Sequence, residues 1–119
     1  MEPPIKARAH GLIDYGFAGL TLGLPSVIGL RGSARALPAA LGVGQGALNA
    51  LTDTPVGLRR VVSLRDHGWA EVATLPLFAL VVWRAGALAE QRERAYFGTL
   101  GALLATVYAL TDWDAKADS

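Results

Sequence analysis

Four stretches of the chain, 15–30, 36–52, 72–83 and 95–111, contain no charged residue, while Lys, Arg, Asp and Glu gather in the short segments between them. Once flanking polar residues are allowed to reach an interface, each stretch reads as a membrane-spanning helix of about 17–25 residues. A soluble four-helix bundle is the alternative. It would need polar residues recurring along a solvent face of every helix, and the second and fourth stretches show no such face. The expected fold is therefore all-α: an integral membrane four-helix bundle, with residues 1–119 forming one transmembrane domain surrounded by a lipid bilayer. Composition points the same way, with 18% charged residues against about 25% in a typical soluble domain.

A net charge of +1 gives no basis for nucleic-acid binding, and the absence of cysteine excludes disulfides, thiolate metal sites and thiol catalysis. The start, Glu2-Pro3-Pro4-Ile5-Lys6-Ala7-Arg8, resembles a signal n-region. His10 and Asp14 follow too early, and no small-residue cleavage site appears, so this segment is expected to lead into a retained helix.

Helix 1 is expected over 9–30, ending at Arg31-Gly32-Ser33, with Gly19 and Gly23 as a small-residue contact face. Helix 2, about 35–53, carries a second small pair at Gly42 and Gly46, and a polar line at Gln45, Asn49 and Asp53 that must face protein or water. Residues 54–66 read as a loop. Helix 3, about 67–85, has Pro76 near its middle, and helix 4 covers about 95–112. Trp69 and Trp113 would lie at one membrane interface, and Trp83 and Tyr96 at the other.

The halves of the chain correspond. His10, Gly11 and Asp14 match His67, Gly68 and Glu71 at an offset of 57, and Ala50-Leu51-Thr52-Asp53 matches Ala109-Leu110-Thr111-Asp112 at an offset of 59. Two parallel two-helix repeats, about 9–53 and 67–112, follow from this. The starts of helices 1 and 3 and the ends of helices 2 and 4 then share one face. Six ionisable groups converge there: His10, Asp14, Asp53, His67, Glu71 and Asp112.

The His-x-x-x-acid openings, together with Leu51-Thr52-Asp53-Thr54-Pro55-Val56-Gly57-Leu58-Arg59, resemble the small prokaryotic four-helix membrane proteins of the SPW-repeat type, although the Ser-Pro-Trp tripeptide itself is absent. The resemblance implies a two-unit protein of the prokaryotic inner membrane and no particular activity. Lys6, Arg8, Arg59, Arg60, Arg65 and Lys116 on the face of the termini outnumber Arg31, Arg35, Arg84, Arg92 and Arg94 by one, leaning toward cytoplasmic termini.

Two imidazoles and four carboxylates match in number the ligands of carboxylate-bridged dimetal bundles, although the order of the pair differs from Glu-x-x-His. A single zinc, iron or manganese ion on His10, His67 and two of the acids is easier to build. Three further readings use the same residues: axial histidines of a haem between helices 1 and 3, a proton or cation pathway continued inward by Gln45, Asn49 and Tyr108 in a homo-oligomer, and a structural clamp of His–Asp hydrogen bonds. No nucleophile motif or phosphate loop supports an enzyme. The expectation is a small accessory or structural membrane protein whose polar cluster is a candidate divalent-metal site.

Overall fold

The computed structural model describes residues 2–119, and among them four α-helices: α1 (Ala7–Val27), α2 (Ser33–Ala50), α3 (Leu64–Arg84) and α4 (Gln91–Leu110). The described residues include no strand, only two isolated parallel bridges, Ile5 with Thr111 and Thr52 with Val62.

Capping chemistry sets the boundaries. Ser63 Oγ accepts from the Asp66 amide at 3.0 Å, starting α3 one turn before the duplicated histidine. Glu90 and Glu93 form a reciprocal capping box, so α4 begins with the polar run Gln91–Arg94, not at the apolar residues after it. No side chain of its own segment caps α1. Instead the end of the chain folds back, and the Ser119 carbonyl accepts from the Arg8 amide at 2.8 Å, satisfying one of the donors a helix start leaves open. Both α1 and α3 end in a Schellman turn. Leu30 N reaches Pro25 O at 2.8 Å and Ala87 N reaches Val82 O at 3.1 Å, each closed by a left-handed glycine, Gly29 (φ 82°) and Gly86 (φ 75°). Helix α1 thus stops before the expected Arg31-Gly32-Ser33.

Of the two small-residue pairs, one is an interface. A Cβ on Gly42 would sit 2.3 Å from Thr21 Oγ1 and 3.2 Å from the Ala18 carbonyl, so α1 and α2 approach as closely as glycine allows. Gly46 faces Ala18, whereas Gly19 and Gly23 face open space.

The interior is divided along the bundle axis. At one end Leu30, Ala34, Val82, Ala87, Tyr96 and Leu100 form an apolar core. At the other, where α1 and α3 begin, the buried side chains are mostly polar: His10, Asp14, Asn49, Thr52, Thr54, His67, Glu71 and Thr111, beside Ala7 and Leu64. Burial of this many polar groups is sustainable only if they pair with one another or with a ligand.

The membrane reading is overturned. No helix among the described residues is long and apolar enough to cross a membrane, which overturns the multi-pass inner-membrane location and the membrane-spanning helices. Lack of charge is not apolarity: α2 intersperses Leu37, Leu41, Val43 and Leu48 with Ala, Gly, Pro, Gln45 and Asn49. The aromatic belt fails as well. Trp69 and Trp83 are exposed, at 66% and 62%, but Tyr96 is a core residue at 7%, and Trp113 packs inward on the histidines.

Candidate metal centre

The first two turns of α1 and α3 bring His10, Asp14, His67 and Glu71 together. All four are buried, and one donor atom from each lies within 4.8 Å of the other three. The i, i+4 spacing puts imidazole and carboxylate on one face of each helix. Glycine after each histidine gives room for what covers the site. A Cβ on Gly11 would lie 2.4 Å from Val56 Cγ2, and one on Gly68 would lie 2.8 Å from the Trp113 ring. Trp113 roofs both imidazoles, at 4.8 Å from His10 and 6.1 Å from His67 between ring centroids.

The hydrogen bonds around the rings determine where their protons sit. Thr52 Oγ1 donates to the Leu48 carbonyl at 2.6 Å, and Thr111 Oγ1 donates to the Val107 carbonyl at 2.6 Å. With its one proton committed, each hydroxyl can only accept. His67 Nδ1, 2.7 Å from Thr52 Oγ1, and His10 Nδ1, 3.0 Å from Thr111 Oγ1, are therefore the N–H donors. The Nε2 atoms point inward, 3.3 Å from each other. Around them, His67 Nε2 is 2.9 Å from both Asp14 Oδ2 and Glu71 Oε1, and His10 Nε2 is 3.1 Å from Asp14 Oδ2 and 3.6 Å from Glu71 Oε1. Asp14 Oδ2 is fully buried, with both Nε2 atoms beside it.

With neutral rings, four lone-pair donors converge on one point, an arrangement that needs a positive charge to hold it. Protons can supply it. Burial opposes charging His10, but hydrogen bonds and attraction from Asp14 and Glu71 outweigh it and raise its pKa to about 9. His67 is raised by the same two acids against the same opposition. Asp14 is lowered, with the two histidines overcoming the cost of burial. A metal ion is the other solution. Tetrahedral coordination with bonds of about 2.0–2.1 Å places donor atoms about 3.3–3.4 Å apart; the five separations that involve a histidine, 2.9 to 3.6 Å, bracket that value, and the two carboxylates lie within 4.8 Å of each other.

The two remaining acids of the expected set stay outside. Asp53 pairs with Arg60 at 2.7 Å on the surface, and Asp112 with Lys6 at 2.8 Å, which lowers its pKa. What the helix exits contribute is the residue before each acid, Thr52 and Thr111. The signal for them is the duplicated Ala-Leu-Thr-Asp, in which the hydroxyl and not the acid reaches the imidazole. Trp113, just past the second copy, has no counterpart there, since Thr54 occupies its place at the same offset.

The haem reading does not fit this geometry: the two Nε2 atoms are 3.3 Å apart, flanked by two carboxylates and an indole, and leave no space for a porphyrin between them. The inward polar path is also closed. Asn49 donates to the Gly11 carbonyl at 2.8 Å, and beyond Asp14 and Glu71 lies a cavity of only about 20 Å³ beside Gln45 and Thr21. Comparison with protein-family models, curated proteins and solved structures finds no match to this chain.

Proposed function

We propose that this chain is a small accessory or structural protein that binds one divalent transition metal, zinc by preference, through His10 Nε2, His67 Nε2, Asp14 and Glu71. The observation that carries the reading is the fixed tautomer: both Nδ1–H groups are anchored on threonine hydroxyls that cannot donate back, leaving both Nε2 lone pairs to a shared centre. Hydrogen-bonding the outer nitrogen in this way is how proteins orient metal-ligating histidines. Two neutral and two anionic ligands offset a double positive charge. Four buried protein ligands leave no open coordination position, which favours a structural role over a hydrolytic one.

The same proposal includes two parallel two-helix repeats with the metal between them. The Schellman turns at Gly29 and Gly86 support this, as do the paired bridges. Ile5 N to Leu110 O (3.0 Å) and Asp112 N to Ile5 O (2.8 Å) answer to Val62 N to Leu51 O (2.8 Å) and Asp53 N to Val62 O (2.6 Å). Each half thereby supplies the histidine that the other half's threonine orients.

A second reading rests on the raised histidine pKa values: a metal-free clamp of imidazolium and carboxylate. Elemental analysis of purified protein, with a melting curve taken in chelator and in added zinc, separates the two. About one metal per chain and a zinc-dependent rise in Tm are expected. No metal and no shift leaves the clamp.

A further inference from the structure

A second feature lies at the opposite end of the bundle, between α3 and α4. There a pocket of about 360 Å³ is walled by Leu75, Phe78, Val82 and Phe97, floored by Leu100, and left open along α4 by Gly98 and Gly101. Its volume falls in the range of small-molecule sites, roughly 300–1,000 Å³. Its origin can be read from the offsets that relate the halves. Gly101 stands where Gly42 stands in the first half, and Phe78 and Leu75 stand where Thr21 and Ala18 do. In the first half the small partners let α2 close onto α1, with Gly42 in tight contact. In the second half the bulky partners meet a glycine whose Cβ position has nothing within 4 Å. The helices stay apart, and the gap between them is apolar.

The lining carries one charge, Arg94. Its Nη1 is tied to the carbonyls of Leu88 at 3.0 Å and Ala89 at 2.7 Å. No carboxylate pairs with it among the described residues, because the neighbouring acids Glu90 and Glu93 are turned to the backbone of their capping box. A guanidinium held in place at the edge of an apolar pocket, with Nε and Nη2 free, matches a ligand that has a hydrocarbon chain and an anionic head.

We propose that the α3–α4 pocket binds one single-chain amphiphile, its acyl chain along Phe78, Val82 and Gly101 and its anionic head on Arg94. The test is isothermal titration of the purified, delipidated full chain with sodium dodecanoate below its micelle concentration, and with 1-dodecanol as the uncharged chain. Saturable binding of dodecanoate at one per chain is expected, with dodecanol roughly tenfold weaker, the loss of one charge-assisted contact. Arg94→Gln should bring dodecanoate down to the dodecanol level and leave dodecanol unchanged. Gly101→Leu should abolish binding of both while Tm is kept, since the added side chain enters the open space without meeting the fold. Dodecyl phosphate in place of dodecanoate distinguishes the source of the head: tighter binding points to a lysophospholipid, weaker binding to a free fatty acid. No saturable binding, binding of many molecules per chain, or binding indifferent to Gly101→Leu overturns the proposal. The metal site is untouched by these variants, so its own test stands or falls separately.

Discussion

Thr52→Val tests the arrangement of the centre at its most specific point. Thr52 is fully buried, and its hydroxyl stands 2.7 Å from His67 Nδ1 and 2.6 Å from the Leu48 carbonyl. Valine keeps the shape and removes the oxygen. The Leu48 carbonyl still accepts from the Leu51 amide at 3.1 Å, so the cost falls on His67, whose Nδ1–H is left buried without an acceptor. That is worth about 1–3 kcal/mol, or about 3–5 °C in Tm per kcal/mol for a chain of this length. Freed from its anchor, the ring can carry its proton on Nε2, where the metal would bind. Loss of such an outer contact lowers metal affinity about 10- to 100-fold. Competition against a chromophoric chelator reads the affinity, and circular dichroism reads the melt. Thr52→Ser, which restores the oxygen, should recover most of both. An unchanged zinc affinity in Thr52→Val would refute the tautomer argument, and an equal loss in Thr52→Ser would show that packing, not the hydrogen bond, was responsible.

Without metal, stability should depend on the His10 proton. Its pKa of about 9 in the folded chain exceeds the unfolded value of about 6.5, so its contribution is complete below pH 6.5 and disappears as pH rises through 9. The ceiling is roughly 3 kcal/mol, and urea denaturation of chelator-treated protein across pH 6–10 should show the decline; a flat profile would contradict it. Asp53→Asn and Asp112→Asn should leave metal content unchanged in elemental analysis, because both acids pair with surface cations away from the centre. Gly42→Ala forces a methyl onto Thr21 and should cost about 1–3 kcal/mol, whereas Gly98→Ala, which meets open space, should be neutral or stabilising by up to about 1 kcal/mol; chemical denaturation of the two variants reads the contrast.

The residues that make the centre were visible in the chain because their pattern is local. His-Gly-x-x-acid places imidazole and carboxylate on one helical face by backbone geometry alone, and its duplication at an offset of 57 marked the two helices that had to meet. The four helices were legible for the same reason, although their ends shifted by a few residues where Ser63, Glu90 and Gly29 capped them. What the chain could not state was which of six ionisable groups would share a centre. Asp53 and Asp112 lie one residue past Thr52 and Thr111, and at a helix exit one residue is the difference between facing the interior and facing Arg60 or Lys6. The membrane expectation failed on a related point. Charge is absent from the four runs as a property of single residues, but the capacity to cross a bilayer depends on apolarity summed over a whole helix, and glycine, alanine and buried hydroxyls dilute it. Only the tertiary structure decided that the polar end of the interior closes on itself, because hydrogen-bond direction, unlike residue spacing, is set by which helices meet and at what depth.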